Sequence, residues 1–174
     1  MIRQFDVILT WPKHPTGFIG LLSRIITWVT RKGPSHVRTY IKGLYKDYDF
    51  FEVTYPHSRF GYMSEVDPKE YRIEIGRHRG LPSPLPKELS DIAILEMWKI
   101  EGSNYDAFEL WEHLLDEAGI DSIDNSVPNK YVCSSGNGHI MYWMGYPWHI
   151  KGKIVSLLSP QDIRESDEYV RERR

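Results

Sequence analysis

Only one cysteine, Cys133, occurs in the 174 residues of this chain. A single thiol forms no internal disulfide, so the core alone must hold the fold, and the usage is compatible with a reducing compartment. Charge of one sign is equally scarce. The 22 basic and 24 acidic residues are interspersed and leave a formal net charge of −2. That excludes the electrostatic footprint of a protein whose main partner is nucleic acid. The basic end, Arg171 to Arg174, reads as a frayed, solvated tail. No apolar run approaches the roughly 20 residues that span a bilayer, so no transmembrane segment is expected, and no signal peptide is recognisable at Met1. None of the seven histidines stands in a His-Glu-x-x-His pair or a Cys/His cluster, so neither a metal site nor a cofactor is expected. Gly136-Asn137-Gly138 lacks the third glycine and the preceding parallel strand of a dinucleotide-binding turn, and no Walker-type lysine is present. Internal repeats and low-complexity tracts are missing too.

What is present suffices for one domain spanning residues 1–174, since 41% of the residues are hydrophobic and 13% aromatic. Met1 to Thr10 reads as a short strand at the margin of a sheet. The spacing of Phe18, Leu21, Leu22, Ile25, Ile26 and Val29 predicts a helix over 17–32, stopped by Gly33-Pro34. A core-facing stripe is the plain reading of this helix. Trp28 with Lys13, Arg24, Arg31 and Lys32 supports a second one, contact with a membrane surface or an acyl chain. From His36 to Ile75 the texture turns to β: His36 to Ile41, Asp49 to Tyr55, Phe60 to Val66 and Tyr71 to Ile75 are β-branched or aromatic runs forming an antiparallel meander. The proline-rich Leu81 to Pro86 is a connector. Helices are predicted near Pro86 to Ile100 and Tyr105 to Ala118, then from Cys133 to the break at Gly145 and Pro147. Ile150 to Leu158 can return as a strand, and Pro160-Gln161-Asp162 can start a last helix. The fold class expected is therefore α+β, an antiparallel sheet or small barrel packed against a cysteine-bearing helix.

The chemistry centres on Cys133, in Tyr131-Val132-Cys133-Ser134-Ser135 at a helix start. Unpaired N–H groups and the positive end of the helix dipole there favour a thiolate, the nucleophilic form. His36 follows a turn and opens a strand, and Glu52 lies on the next one. If those strands pair, Glu52 orients His36 while His36 faces Cys133, which gives a nucleophile, a base and an orienter. The same residues have bland readings: a small buried thiol, a half-buried histidine and a solvated acid. His57 is a spare base. His139, six residues beyond Cys133, points away from it. Tyr131, Tyr55 and Trp28 are the candidates for substrate contacts, and the backbone N–H of Cys133 is the candidate oxyanion donor.

The order of Phe5-Asp6-Val7-Ile8-Leu9, an intervening helix, Gly33-Pro34-Ser35-His36-Val37, Phe51-Glu52-Val53 and Tyr131-Val132-Cys133-Ser134-Ser135 resembles the circularly permuted papain-like amidases. These are permuted relatives of the NlpC-type cell-wall endopeptidases and include the lecithin:retinol acyltransferase-like proteins. Leu89-Ser90-Asp91 leading to Gly102-Ser103-Asn104-Tyr105-Asp106, and Ser159-Pro160-Gln161-Asp162-Ile163, are similar to other stretches of that family. The resemblance implies a permuted papain-like fold, Cys133 as nucleophile, His36 as base and Glu52 as orienter. It implies an amidase or peptidase acting on peptidoglycan peptides or an amide-linked lipid or small molecule, in a bacterial or phage context. A cytoplasmic or virion-associated protein is then expected. A catalytically silent module binding cell wall or a partner protein, and a lipid-directed thiol acyltransferase, are the alternatives. The chain departs from the family in carrying Phe5 where a glycine usually precedes the aspartate, and Gly136 and Gly138 weaken the cysteine helix by roughly 1 kcal/mol each against alanine.

Overall fold

The computed structural model describes residues 2–14, 16–29, 33–106, 131–150, 153 and 158–172. Its elements run β1 (Val7–Pro12), α1 (Gly17–Val29), β2 (His36–Tyr40), β3 (Phe50–Glu52), β4 (Arg59–Gly61), a 3-10 turn (Met63–Glu65), β5 (Tyr71–His78), α2 (Lys87–Ile100), α3 (Cys133–Trp143), α4 (Pro160–Glu165) and β6 (Tyr169–Arg171). The architecture is α+β, with one six-stranded antiparallel sheet in the order β4-β3-β2-β1-β5-β6. Among the described residues no helix is long and apolar enough to cross a membrane. The anticipated helix near Tyr105 to Ala118 and strand from Ile150 to Leu158 fall largely outside the described residues.

Of the expected four-run meander β2, β3 and β4 pair in succession, but its fourth run, β5, pairs with β1 instead of β4, and β1 is not at the margin. It is central, pairing antiparallel with β2 on one side and β5 on the other. The reason is burial on both faces: Val7, Ile8 and Leu9 are all fully buried in succession, the signature of an inner strand rather than of a half-exposed one. Phe60 to Val66 is also corrected, because the strand ends at Gly61 and the chain turns through Met63–Glu65. Alternation divides the sheet. Val7, Leu9, Trp11, Val37, Phe51 and Phe60 join the core beneath α2 and α3, whereas register and parity place Thr10, Arg38, Glu52 and Arg59 on the other face.

Two contacts seat α3 on the sheet. Gly136 lets the helix approach Val53 so closely that an added Cβ would stand 2.4 Å from the valine Cγ2, so the helix-weakening glycine is a packing requirement. One turn beyond Cys133, the buried Asn137 donates from Nδ2 to Thr39 Oγ1 (2.8 Å) and accepts from Trp148 Nε1 (2.9 Å). At the other end of the fold Phe5 adopts φ +63°, the left-handed region that favours glycine. The phenylalanine tolerates it because its ring is fully buried in the core. Burial worth roughly 1.5–3 kcal/mol offsets a backbone cost of about the same size.

Candidate active site

His36 is the first residue of β2, and its ring joins the two other residues singled out in the sequence. Its Nε2 lies 2.7 Å from Glu52 Oε2, and the Cys133 sulfur is near enough to act electrostatically on the same ring. An ionised carboxylate only accepts, so Nε2 carries the proton and Nδ1 is left as the basic nitrogen of the ring. The strand order supplies this arrangement: β2 and β3 pair so that Arg38 lies opposite Glu52, with His36 two residues earlier on the same face. Cys133 arrives from α3 as its first helical residue, and Ser135 Oγ accepts from the Val132 N–H at 3.0 Å to fix that turn.

Glu52 is not the solvated acid of the bland reading. Only 2% exposed, it is an ionised group surrounded by cations. Arg38 Nε lies 2.8 Å from Oε2, and Arg59 reaches Oε1 with Nε at 2.9 Å and Nη2 at 2.8 Å. Burial alone would raise its pKa, but the His36 hydrogen bond and the charges of His36, Arg38 and Arg59 prevail and hold it at about 2. For His36 the balance is closer. Burial and the Arg38 charge disfavour the imidazolium, yet Cys133 and Glu52 outweigh them and leave the ring with a raised pKa.

Arg38 and Arg59 were not anticipated. Arg38 donates from Nη1 to Thr10 Oγ1 at 3.0 Å and places its guanidinium over the rings of Phe50 and Tyr71. Arg59 lies directly across from Glu52 in the β3–β4 pair and also binds Glu65 at 2.6 Å. The available signal was strand parity: a hairpin pairing 52 with 59 puts both side chains on one face.

A cleft of about 690 Å³ opens beside this cluster, with His36, Glu52, Arg59, Tyr55, His57 and Tyr105 in its wall. Ser23 and Ile26 of α1 border it as well, and Ile26 packs on Val132 beside the cysteine. Tyr55 is a wall residue of this cleft. Tyr131 and Trp28 are not: Tyr131 lays its ring against His139, and Trp28 is 81% exposed. His139 turns away to Glu96, 3.1 Å distant, as its helical position required. Cys133 does not face solvent. The residue is 4% exposed, belongs to the core and is not part of the cleft wall, because the N-terminus of α3 is drawn onto the sheet by the Gly136 contact. Among the described residues no three His, Cys, Asp or Glu side chains converge as metal ligands. No protein-family model and no curated protein matches the chain.

Proposed function

We propose that this protein is a cysteine-dependent hydrolase, an amidase or peptidase of permuted papain-like architecture, with Cys133 as nucleophile, His36 as general base and Glu52 as its orienter. The observation that supports the reading is the His36 ring held at 2.7 Å by the buried Glu52 carboxylate, with the Cys133 sulfur acting on the same ring. A histidine whose Nε2–H is held by a carboxylate has a fixed tautomer that leaves Nδ1 as the base.

In the proposed reaction His36 Nδ1 takes the Cys133 proton and the sulfur attacks an amide or ester carbonyl. The backbone N–H of Cys133, at the first position of α3 and so without an intrahelical carbonyl, stabilises the oxyanion by about 3 kcal/mol. The imidazolium returns its proton to the leaving amine, and water releases the acyl group. The cleft mixes hydroxyls of Thr10, Ser35 and Thr54 with the rings of Tyr55 and Tyr105, a lining suited to a peptide such as that of peptidoglycan. Exposed Leu21 and Trp28 on the helix that borders the cleft favour a lipid-borne acyl group instead, and with it an acyltransferase outcome. The burial of Cys133 favours the other reading, a silent binding module of the same fold.

Alkylation separates these readings. A stoichiometric thiol alkylator should modify native Cys133 rapidly near neutral pH, read by intact mass, and incubation with cell-wall fragments or lipid extracts should leave an acyl adduct on it. A Cys133 that reacts only when the protein is unfolded makes the site silent and sinks the hydrolase reading.

A further inference from the structure

Arg59 stands at the open side of the site, in the cleft wall, with its side chain 48% exposed. Its Nε and Nη2 both lie on Glu52 Oε1, while His36 and Arg38 take Oε2. One carboxylate therefore serves two guanidinium groups and an imidazole, divided between its two oxygens. On its far side Arg59 is shared with Glu65 at 2.6 Å, whose Oε1 also accepts from the Tyr62 N–H at 2.9 Å. The row His36, Glu52, Arg59, Glu65 thus sets each carboxylate between or beside basic side chains out to the edge of the cleft.

We infer that Arg59 is a positioning residue: it holds Glu52 against His36 and, by drawing on the same carboxylate charge, sets the pH range over which His36 keeps its proton. The inference rests on the proposed Cys133–His36 pair. It follows from charge sharing at short range. A carboxylate partly neutralised by one guanidinium stabilises a neighbouring imidazolium less than a carboxylate left to it alone. The ionisable groups around His36 are Glu52 on β3, Arg38 on β2, Arg59 on β4 and Cys133 on α3, with Tyr55, His57, Glu65, Tyr71 and Tyr105 in the same cleft. Arg38 is nearly buried and held by Thr10, whereas Arg59 and Glu65 can be replaced at the surface.

The test is the pH profile of Cys133 alkylation by iodoacetamide, which needs no substrate. In the wild type the profile should contain a limb that disappears in His36→Ala. Arg59→Met should displace that limb to higher pH, because Glu52 then acts on His36 undivided, and Arg59→Lys should restore it by returning the charge. Glu65→Gln should displace it to lower pH, since Arg59 then acts wholly on Glu52. A merely structural Arg59 would change stability without opposite shifts in the two variants. Should Arg59→Met fail to fold, the Glu65→Gln displacement decides alone. A limb that stays where it is in the folded variants overturns the role of Arg59 and leaves the Cys133–His36 pair standing. A wild-type profile identical to that of His36→Ala overturns the pair itself, and this inference with it.

Discussion

Replacing Glu52 by glutamine is expected to destabilise the protein by about 3 kcal/mol at neutral pH, and the loss should vanish in acid. The carboxyl, 2% exposed, is held at about 2 in place of its ordinary 4.5. At roughly 1.4 kcal/mol per tenfold change in proton binding, that difference amounts to about 3 kcal/mol. Removing one partner of a buried ion pair gives a similar figure by another route, roughly 3–5 kcal/mol, because Arg38 would remain buried without its counter-charge. Arg59 softens the loss, since it is half exposed and keeps Glu65. The folded-state value lies below the unfolded one, so the stabilisation is complete above about pH 5 and is lost as the pH falls towards 2. Near pH 3 the difference between wild type and Glu52→Gln should have fallen to about 1–1.5 kcal/mol. Urea unfolding of both proteins at pH 7 and pH 3 measures it. A difference below about 1 kcal/mol at pH 7, or one that is the same at both pH values, would refute the account of Glu52 as a charged, clamped group.

Gly136→Ala should cost roughly 1–3 kcal/mol, although alanine is the better helix former by about 1 kcal/mol, because the new Cβ would press on Val53; a gain in thermal stability would show that α3 does not sit this close to the sheet. Cys133→Ala should abolish turnover and also cost roughly 1–2 kcal/mol in chemical denaturation, the price of an emptied core position. Unchanged stability would mean that the thiol is solvated rather than packed.

Much of the local structure was legible in the residues. The apolar spacing that marks α1, the proline-marked starts of α2 and α4 and the helix start at Cys133 all rest on relations between neighbours a few positions apart, which sequence spacing encodes directly. The association of His36 with Glu52 was also within reach, because consecutive strands joined by a short connection tend to pair. Arg59 falls outside the β runs legible in the sequence, which stop at Tyr55 and resume at Phe60, and its place opposite Glu52 depends on where the hairpin closes. Phe5 and Gly136 show the limit most clearly: each looks locally unfavourable, and each is explained by what it meets across the fold, a core that buries the ring and a valine that needs the space.

The sequence by itself therefore determined the element types, the α+β class and the residues with reactive side chains, since propensity, capping and periodicity act within a few residues. Only the tertiary structure decided that β1 is the inner strand, that Cys133 is buried, and that two arginines share one carboxylate with His36. Those outcomes depend on which apolar faces cover one another and on charges brought together from distant segments. Burial and pairing at that range are properties of the assembled chain, not of any window along it.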